Sequence, residues 1–226
     1  MGVYLWVDQQ KREPWANTVA YRPLESDAKD HSGNWYNLGL TYDTSTWRIT
    51  YMTRLGVQCA YSPWKAYFYS NTAALPSGWN ARTVSLWYSG SSGSWQESLL
   101  AYWNVGGSGA WFDIYLYNWW VRFSDVANPV STGITPASNT WTLVTITYDA
   151  TNHTRVYVNG EQKGTNSTTR TTNSVSASYP FRLFARNDST NYTFSWYLSN
   201  VIVENVARTA EKVAEYYNLM KPFYSS

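Results

Sequence analysis

Hydrophobic and polar positions alternate in short runs along most of the chain, and Gly, Ser, Asn and Pro separate those runs. Alternation with a period of two is typical of strands that bury one face. The pattern predicts strands near residues 19–24, 36–42, 47–53, 56–61, 65–70, 82–89, 95–103, 111–123, 142–148, 154–158, 181–185 and 196–204. Many short strands joined by turns indicate an all-β protein, a two-sheet antiparallel β-sandwich.

Two turns and one helix complete this prediction. The stretches DATNHT (149–154) and VNGEQKG (158–164) are typical of hairpin connections, and the Asn-Gly pair favours a type I′ turn. Near the end, Thr209 is the predicted N-cap of a helix and Pro222 its predicted stop. Apolar residues recur there at helical spacing, so we expect the helix to pack on the sandwich.

The stretch YLYNWWVRF (115–123) sets two tryptophans side by side in what the pattern predicts to be one strand. Alternation then separates two faces. The wholly apolar or aromatic face, the predicted core face, holds Tyr115, Tyr117, Trp119, Val121 and Phe123. The mixed face holds Ile114, Leu116, Asn118, Trp120 and Arg122. We therefore expect Trp119 to be buried, and Trp120 either to meet a ligand or to lie under a loop.

The composition is rich in aromatic residues and poor in charge. Of 226 residues, 18% are aromatic and only 14% are charged, against about 25% charged in an average protein. Such an aromatic excess predicts that some rings face a ligand or a partner. The net charge of +2 is scattered, which argues against nucleic acid, and no apolar run approaches the ~20 residues of a membrane span. Cys59 is the single cysteine, so no internal disulfide forms and we expect it buried.

Three stretches, in order, resemble the laminin-G-like, concanavalin A-like lectin/glucanase jelly rolls. They are YRPLESDAKDHSGN (21–34), WTLVTITYDATNHTRVYVNGEQKG (141–164) and WYLSNVIVENVARTAEKVAEYY (196–217). The resemblance implies one sandwich domain over residues 19–226, preceded by a strand or arm over 1–18. Members of this family bind glycans, calcium or proteins, and some hydrolyse polysaccharides, so each activity needs its own site.

Catalysis has little support in the sequence. Hydrolases of this superfamily carry paired carboxylates on one strand face in a pattern like E-x-D-x-E, and glycoside hydrolysis needs two such groups across one bond. Here Glu25 and Asp27 are two residues apart, but in a loop. We expect a non-catalytic protein and keep a glycoside hydrolase as the third hypothesis.

A structural calcium ion is the one cofactor the sequence suggests. Asp27, Asp30 and Asn34 supply oxygen ligands around a glycine turn, where calcium-binding family members recruit acidic residues. Ser199 and Asn200 stand where a further acidic ligand is common. The alternative is an Asx-type turn without metal.

The predicted ligand site consists of loop tryptophans and the polar neighbours of Trp120. Its residues are Trp79, Trp95, Trp103, Asn118, Trp120 and Arg122. Loop tryptophans can equally be lids over the core. The leading hypothesis is recognition of a glycan or cell-surface receptor, on a phage or virion surface or elsewhere outside cells. The start MGVYLWV lacks the basic residues of a signal peptide. This favours a phage or virion, because lysis releases virion proteins without secretion. The alternative is a decoration or assembly subunit that contacts other virion subunits or itself.

Overall fold

The computed structural model describes residues 17–34, 37–42, 48–63, 65–73, 75–90, 95–102, 112–124, 129–151, 153–167, 174–176, 180–186 and 192–225. These residues form fifteen strands and one helix. The elements are β1 (Thr18–Arg22), β2 (Gly39–Tyr42), β3 (Thr50–Arg54), β4 (Val57–Tyr61), β5 (Ala66–Ser70), β6 (Arg82–Ser89), β7 (Glu97–Tyr102), β8 (Phe112–Tyr117), β9 (Trp120–Ser124), β10 (Val130–Ser131), β11 (Trp141–Tyr148), β12 (Thr154–Val158), β13 (Glu161–Asn166), β14 (Phe181–Leu183), β15 (Tyr197–Glu204) and α1 (Ala210–Tyr224). Residues 1–16 lie outside the described part, so the predicted arm stays a prediction.

The strands form two antiparallel sheets. The eight-stranded sheet has the order β13-β12-β11-β6-β15-β4-β3, and β1 pairs with β15 outside this path. The seven-stranded sheet has the order β10-β9-β8-β7-β14-β5-β2. This architecture confirms the predicted two-sheet sandwich.

Alternation along the central strands divides their side chains between two environments. On β11, Val144 and Ile146 belong to the core between the sheets. Trp141 and Leu143, on the other face of the same strand, pack in a second cluster with helix α1. The seven-stranded sheet contributes Leu100, Ile114, Phe123 and Leu183, among others, to the inner core. The two faces of β11 thus match the alternation in the sequence.

Helix α1 covers the outer face of the eight-stranded sheet. The side chain of Thr209 accepts a hydrogen bond from the Lys212 backbone N–H, which confirms the predicted N-cap. Tyr224 stacks on Trp87 of β6, with ring centroids 3.9 Å apart and planes 7° apart. Its hydroxyl accepts a hydrogen bond from Asn200 Nδ2. The last turn of the helix is therefore fastened to the sheet by both apolar and polar contacts.

Three sequence predictions need correction. Pro222 does not end the helix, which continues to Tyr224, because Tyr224 packs on the sheet and fixes the last turn. The predicted strand over 111–123 is two strands, β8 and β9, separated by a turn. The hydrophobic pattern also does not predict β10, which has two residues, or β13, a polar edge strand without alternation.

Cys59 is buried, as expected, and its thiol donates to the Met52 carbonyl oxygen at 3.3 Å. Burial raises the pKa of this thiol to about 12, so it is protonated at neutral pH. In the described part of the chain, no helix is both long and apolar enough to cross a membrane.

Replacing Tyr224 by Ala is expected to lower the free energy of unfolding by roughly 3–5 kcal/mol, the usual cost of deleting a buried aromatic ring. Tyr224→Phe keeps the stack on Trp87 and removes the hydroxyl, so we expect a loss of about 1–2 kcal/mol. Leu219→Ala on the exposed side of the same helix is the control, with a change within about 0.5 kcal/mol. Urea unfolding measures all three; equal effects of Tyr224→Ala and Leu219→Ala would contradict this packing.

Candidate functional site

The doubled tryptophan lies at the tip of the β8–β9 hairpin. Tyr117 pairs with Trp120 across the strands, which leaves Asn118 and Trp119 as a two-residue turn. Both turn residues have positive φ, +49° for Asn118 and +70° for Trp119. Positive φ at both central positions is the signature of the type I′ turn that closes tight hairpins.

This turn overturns the predicted placement of Trp119. The side chain of Trp119 is 53% exposed at the turn rather than buried in the core, and Trp120 is 40% exposed. A two-residue turn places residues three apart in sequence, Tyr117 and Trp120, opposite each other on one face. The face assignment made for one strand therefore fails across the turn.

Because the turn exchanges the two faces, each observed face takes its β8 residues from one predicted face and its β9 residues from the other. The core face holds Ile114, Leu116, Val121 and Phe123, all buried in the inner cluster. The outer face holds Tyr115 and Tyr117 with their cross-strand partners Arg122 and Trp120. We call this outer group, together with the turn residues Asn118 and Trp119, the hairpin tip.

Trp119 occupies a backbone conformation that is unfavourable for a bulky residue. In the Asn159–Gly160 turn between β12 and β13, the corresponding second position is a glycine with φ of +81°, which confirms the type I′ turn predicted from Asn-Gly. A left-handed conformation costs a non-glycine residue on the order of 1–2 kcal/mol. The chain thus holds a tryptophan where glycine would be the stable choice.

Arg122 is held on the hairpin tip by aromatic rings. Its guanidinium carbon lies 4.9 Å from the ring centre of Tyr117 and 5.6 Å from that of Trp120. Burial raises the pKa of its cross-strand neighbour Tyr115 to about 12; Asp113 adds to this rise, and the positive charge of Arg122 opposes it. Tyr115 is therefore a neutral hydrogen-bonding group at all physiological pH values.

A polar network continues from the hairpin tip across the outer face of the seven-stranded sheet. Asp113 is only 1% exposed and accepts hydrogen bonds from Ser98 Oγ at 2.7 Å and Gln96 Nε2 at 3.1 Å. Gln96 in turn accepts a hydrogen bond from Arg186 at 3.4 Å. The Asp113 carboxylate is thus enclosed by protein groups, and it holds the side chains of Ser98 and Gln96 in place at the centre of this face.

Two further arginines, which the sequence reasoning missed, extend the face beyond β7. The guanidinium of Arg182 lies 4.5 Å from the ring centre of Tyr67, and that of Arg186 lies 3.8 Å from the ring centre of Tyr192. The signal for Arg182 was present in FRL (181–183), where an arginine between two core residues must point away from the core. We call the hairpin tip together with these two arginine–tyrosine pairs the aromatic–arginine face.

The other predicted tryptophans do not form one cluster. Trp95 is 79% exposed and precedes Glu97, the partner of Leu116, so it lies at the hairpin-tip end of the sheet. Trp79 is also exposed, but its loop is held by Arg82, which donates to the Pro76 and Gly78 carbonyl oxygens. The Tyr102 hydroxyl contacts Pro76 as well, so this loop lies at the opposite end of β7. Trp103 lies outside the described residues.

The residues predicted to hold calcium stabilise a turn. One oxygen of Asp30 accepts the backbone N–H groups of Tyr21 and Ser32, at 2.9 and 3.0 Å. Asn34 Nδ2 donates to the Val19 carbonyl oxygen, and Asp27 caps the Lys29 N–H. These contacts fit the Asx-type alternative, and no group of three or more His, Cys, Asp or Glu side chains in the described part is arranged to hold a metal. Calcium binding stays a prediction.

Glu97 is an acidic group at the margin of the site. Its cross-strand partner Leu116 is a core residue, and one of its carboxyl oxygens is buried without a hydrogen-bond partner among the described residues. Burial raises the pKa of Glu97 to about 7.

A family model for "Concanavalin A-like lectin/glucanases superfamily" (Laminin_G_3) matches residues 65–214, about two-thirds of the chain. The chain belongs to this superfamily. The assignment confirms the resemblance found in the sequence. The match includes the stretch 141–164 and most of 196–217, and the stretch 21–34 precedes it. None of the curated proteins compared with the chain matches it.

Solved structures share the fold at low sequence identity. Domain 4 of AbnA, a GH43 extracellular arabinanase from Geobacillus stearothermophilus solved with arabinotriose, has a TM-score of 0.71 and 16% identity, covering 88% of this chain and 97% of that domain. The binding domain of Paraclostridial Mosquitocidal Protein 1 has a TM-score of 0.68 and 17% identity, covering 89% of this chain and 52% of that one. The botulinum neurotoxin serotype D ligand-binding domain, solved with N-acetylneuraminic acid, has a TM-score of 0.65 and 14% identity, covering 89% and 50%. The chain thus spans about half the length of these toxin domains.

Glu97→Gln is expected to make the protein more stable at pH 8.5 and to change little at pH 4.5. A carboxyl group whose folded-state pKa lies above its usual value of 4.5 stabilises the fold while protonated, and that stability is lost as pH rises through about 7. The gain at pH 8.5 should be on the order of 1 kcal/mol, because solvent still reaches part of this side chain. Urea midpoints at both pH values measure it, with the exposed Glu161→Gln as the control. Equal effects of Glu97→Gln at both pH values would contradict the raised pKa of Glu97.

Proposed function

We propose that this protein is a non-catalytic carbohydrate-recognition module that binds an oligosaccharide on its aromatic–arginine face. The observation that carries the proposal is the hairpin tip, where Trp119 and Trp120 are both exposed beside Asn118 and Arg122. Exposed tryptophans at a tight turn are costly in water, so a ligand that covers them gains from their burial.

The chemistry of the hairpin tip suits a sugar. The apolar face of a pyranose or furanose ring stacks on an indole, and its hydroxyl groups need donors and acceptors around that ring. Asn118 offers an amide with both, and Arg122 offers donors beside Trp120. Along the sheet, Gln96 and the Arg182 and Arg186 side chains continue the same combination of rings and polar groups.

Backbone strain at the tip supports a function for Trp119. A tryptophan at a position that favours glycine weakens the hairpin, and strain of this kind concentrates at ligand-binding sites. The Asn159–Gly160 turn of the same chain shows the unstrained solution. Ligand binding is the gain that accounts for keeping a tryptophan at the tip.

Structural relatives support a binding role. The arabinanase domain was solved with arabinotriose and the serotype D toxin domain with N-acetylneuraminic acid, both on the same fold. A glycan or a glycosylated cell-surface receptor is accordingly the proposed partner, and an extracellular or virion-surface location is the proposed setting.

The carboxylates near the face do not suit hydrolysis. Glycosidases need two carboxyl groups on either side of one bond, about 5–10 Å apart. Asp113 is enclosed by Ser98 and Gln96, and Glu97 pairs with the core residue Leu116 on the other side of the strand. Within the described residues, these two groups do not face a common groove, which supports a non-catalytic role.

Binding should depend on the two tip tryptophans in different ways. Trp120→Ala is expected to weaken oligosaccharide binding at least about tenfold, equivalent to ~1.4 kcal/mol. Trp119→Gly is expected to weaken binding similarly while it raises the free energy of unfolding by about 1 kcal/mol, because glycine relieves the positive φ. Titration calorimetry against a panel of oligosaccharides and urea unfolding measure the two effects.

The matched control is Trp79→Ala, which removes an exposed tryptophan at the other end of the sheet and should leave binding unchanged. Loss of binding in Trp79→Ala but not in the tip variants would place the site elsewhere. Absence of any glycan binding, together with a stable oligomer that Trp120→Ala dissociates, would instead favour a subunit contact in an assembly.

A further inference from the structure

The arginines of the aromatic–arginine face share one arrangement, in which each guanidinium lies over a tyrosine or tryptophan ring. Arg122 lies over Tyr117 and Trp120, Arg182 over Tyr67, and Arg186 over Tyr192. A ring under the flat face of a guanidinium fixes the plane in which its N–H donors lie. Some of these donors already bind protein groups, since Arg182 donates to the Arg186 carbonyl oxygen and Arg186 donates to Gln96 Oε1. A fork held in this way matches a carboxylate, which accepts two parallel hydrogen bonds.

Arg122 is the arginine best placed to receive such a group. Within the described residues it has no carboxylate partner at ion-pair distance. Its Nε is buried and its guanidinium hydrogen-bonds the Tyr115 hydroxyl, so its remaining terminal N–H groups are the donors that a ligand would meet. Its neighbours on the outer face are Tyr115, Tyr117 and Trp120, with Ser131 of β10 opposite it on the other side, so rings and a hydroxyl rather than acidic groups surround it. Trp120 is exposed beside it, which sets a stacking ring and a cation within the reach of one sugar unit.

The acidic groups near this face do not neutralise Arg122. Asp113 is buried and accepts hydrogen bonds from Ser98 and Gln96, and its strand partners are Ala101 and Ser124. Arg182 and Arg122 lie on strands separated by three strand spacings, or ~14 Å at ~4.8 Å each. An oligosaccharide of several units spans that distance, so a chain with repeated acidic groups can meet more than one guanidinium.

We infer that the ligand of the aromatic–arginine face is an acidic oligosaccharide, whose carboxylate binds Arg122 while its sugar ring stacks on Trp120. This inference rests on the proposed carbohydrate-binding function and names its substrate class. Hexuronic acids and sialic acids both supply a carboxylate on a sugar ring. The experiment below separates these two sources.

Two matched pairs of ligands test the charge with the sugar held constant. Trigalacturonate is compared with its methyl ester, and sialyllactose with its sialic acid methyl ester, by titration calorimetry of the full chain at fixed salt. We expect the acidic member of one pair to bind at least about tenfold more tightly than its neutral counterpart, the range for a charge-assisted hydrogen bond. The pair that shows the difference identifies the hexuronic or sialic source.

Variants of Arg122 test the assigned contact. Arg122→Gln should remove the acidic-over-neutral preference, and Arg122→Lys, which keeps the charge and loses the fork, should retain only part of it. Circular dichroism shows whether Arg122→Gln is folded. If it is not, Arg122→Lys still tests the contact. Arg155→Gln is the control, because Arg155 pairs with Asp149 at 3.0 Å on the other sheet and should not affect binding.

The possible failures are distinguishable. If both methyl esters bind as tightly as the acidic ligands, the inference is wrong and the proposed function stands. If no oligosaccharide of either kind binds, the proposed function fails and the inference fails with it. If polyglutamate binds as tightly as trigalacturonate with the same dependence on Arg122, the face attracts anions without regard to sugar, which also overturns the inference.

Discussion

The packing of helix α1 on the eight-stranded sheet decides which outer face of this sandwich faces solvent. A sandwich has two outer faces, and Tyr216, Met220 and Tyr224 bury much of one against Trp87 and Trp141. The stack of Tyr224 on Trp87 and the hydrogen bond from Asn200 hold the helix there. The seven-stranded sheet has no described helix against its outer face, and its arginines and tyrosines remain partly exposed. The proposed ligand site is therefore on the sheet opposite the helix.

The two-residue turn at Asn118–Trp119 determines which side chains lie on that open face. It reverses the chain within two residues, brings Tyr117 opposite Trp120, and leaves both tryptophans exposed. The same turn geometry in the Asn159–Gly160 hairpin uses glycine, and its glycine packs closely against Tyr217 of the helix. The two sheets thus each contain one turn of this geometry. The Asn159–Gly160 turn packs against the helix, and the Asn118–Trp119 turn is exposed.

The fold followed largely from the sequence, because buried strands have strong alternation and the family motifs span most of the chain. Strands β6 and β12 were predicted with their observed bounds, and the N-cap Thr209 was predicted correctly. The hairpin tip could not be predicted, since Asn-Trp is not the usual residue pair of a type I′ turn and the apolar run continues through it. Once that turn was missed, alternation assigned Trp119, Tyr115 and Tyr117 to the wrong face.

Prediction of the site was correspondingly partial. Asn118, Trp120 and Arg122 do lie together and Trp95 is at the same sheet end, whereas Trp79 is at the other end. Arg182 and Arg186 were missed because only the sheet order brings β14 next to β7. The stretch FRL indicates that Arg182 points away from the core, but not which strand lies beside it. Asp30 has the residue type of a calcium ligand, but its hydrogen bonds to Tyr21 and Ser32 become visible only in the folded chain.

The central claim is that the outer face of the seven-stranded sheet, and not the helix-covered face, binds carbohydrate. Indole N–H signals in a ¹⁵N-resolved NMR titration with an oligosaccharide that binds test it most directly, since each tryptophan reports separately. We predict that the Trp119 and Trp120 signals shift while those of Trp87 and Trp141, buried beneath α1, stay unchanged. Shifts confined to Trp79, or to the tryptophans under the helix, would contradict the account.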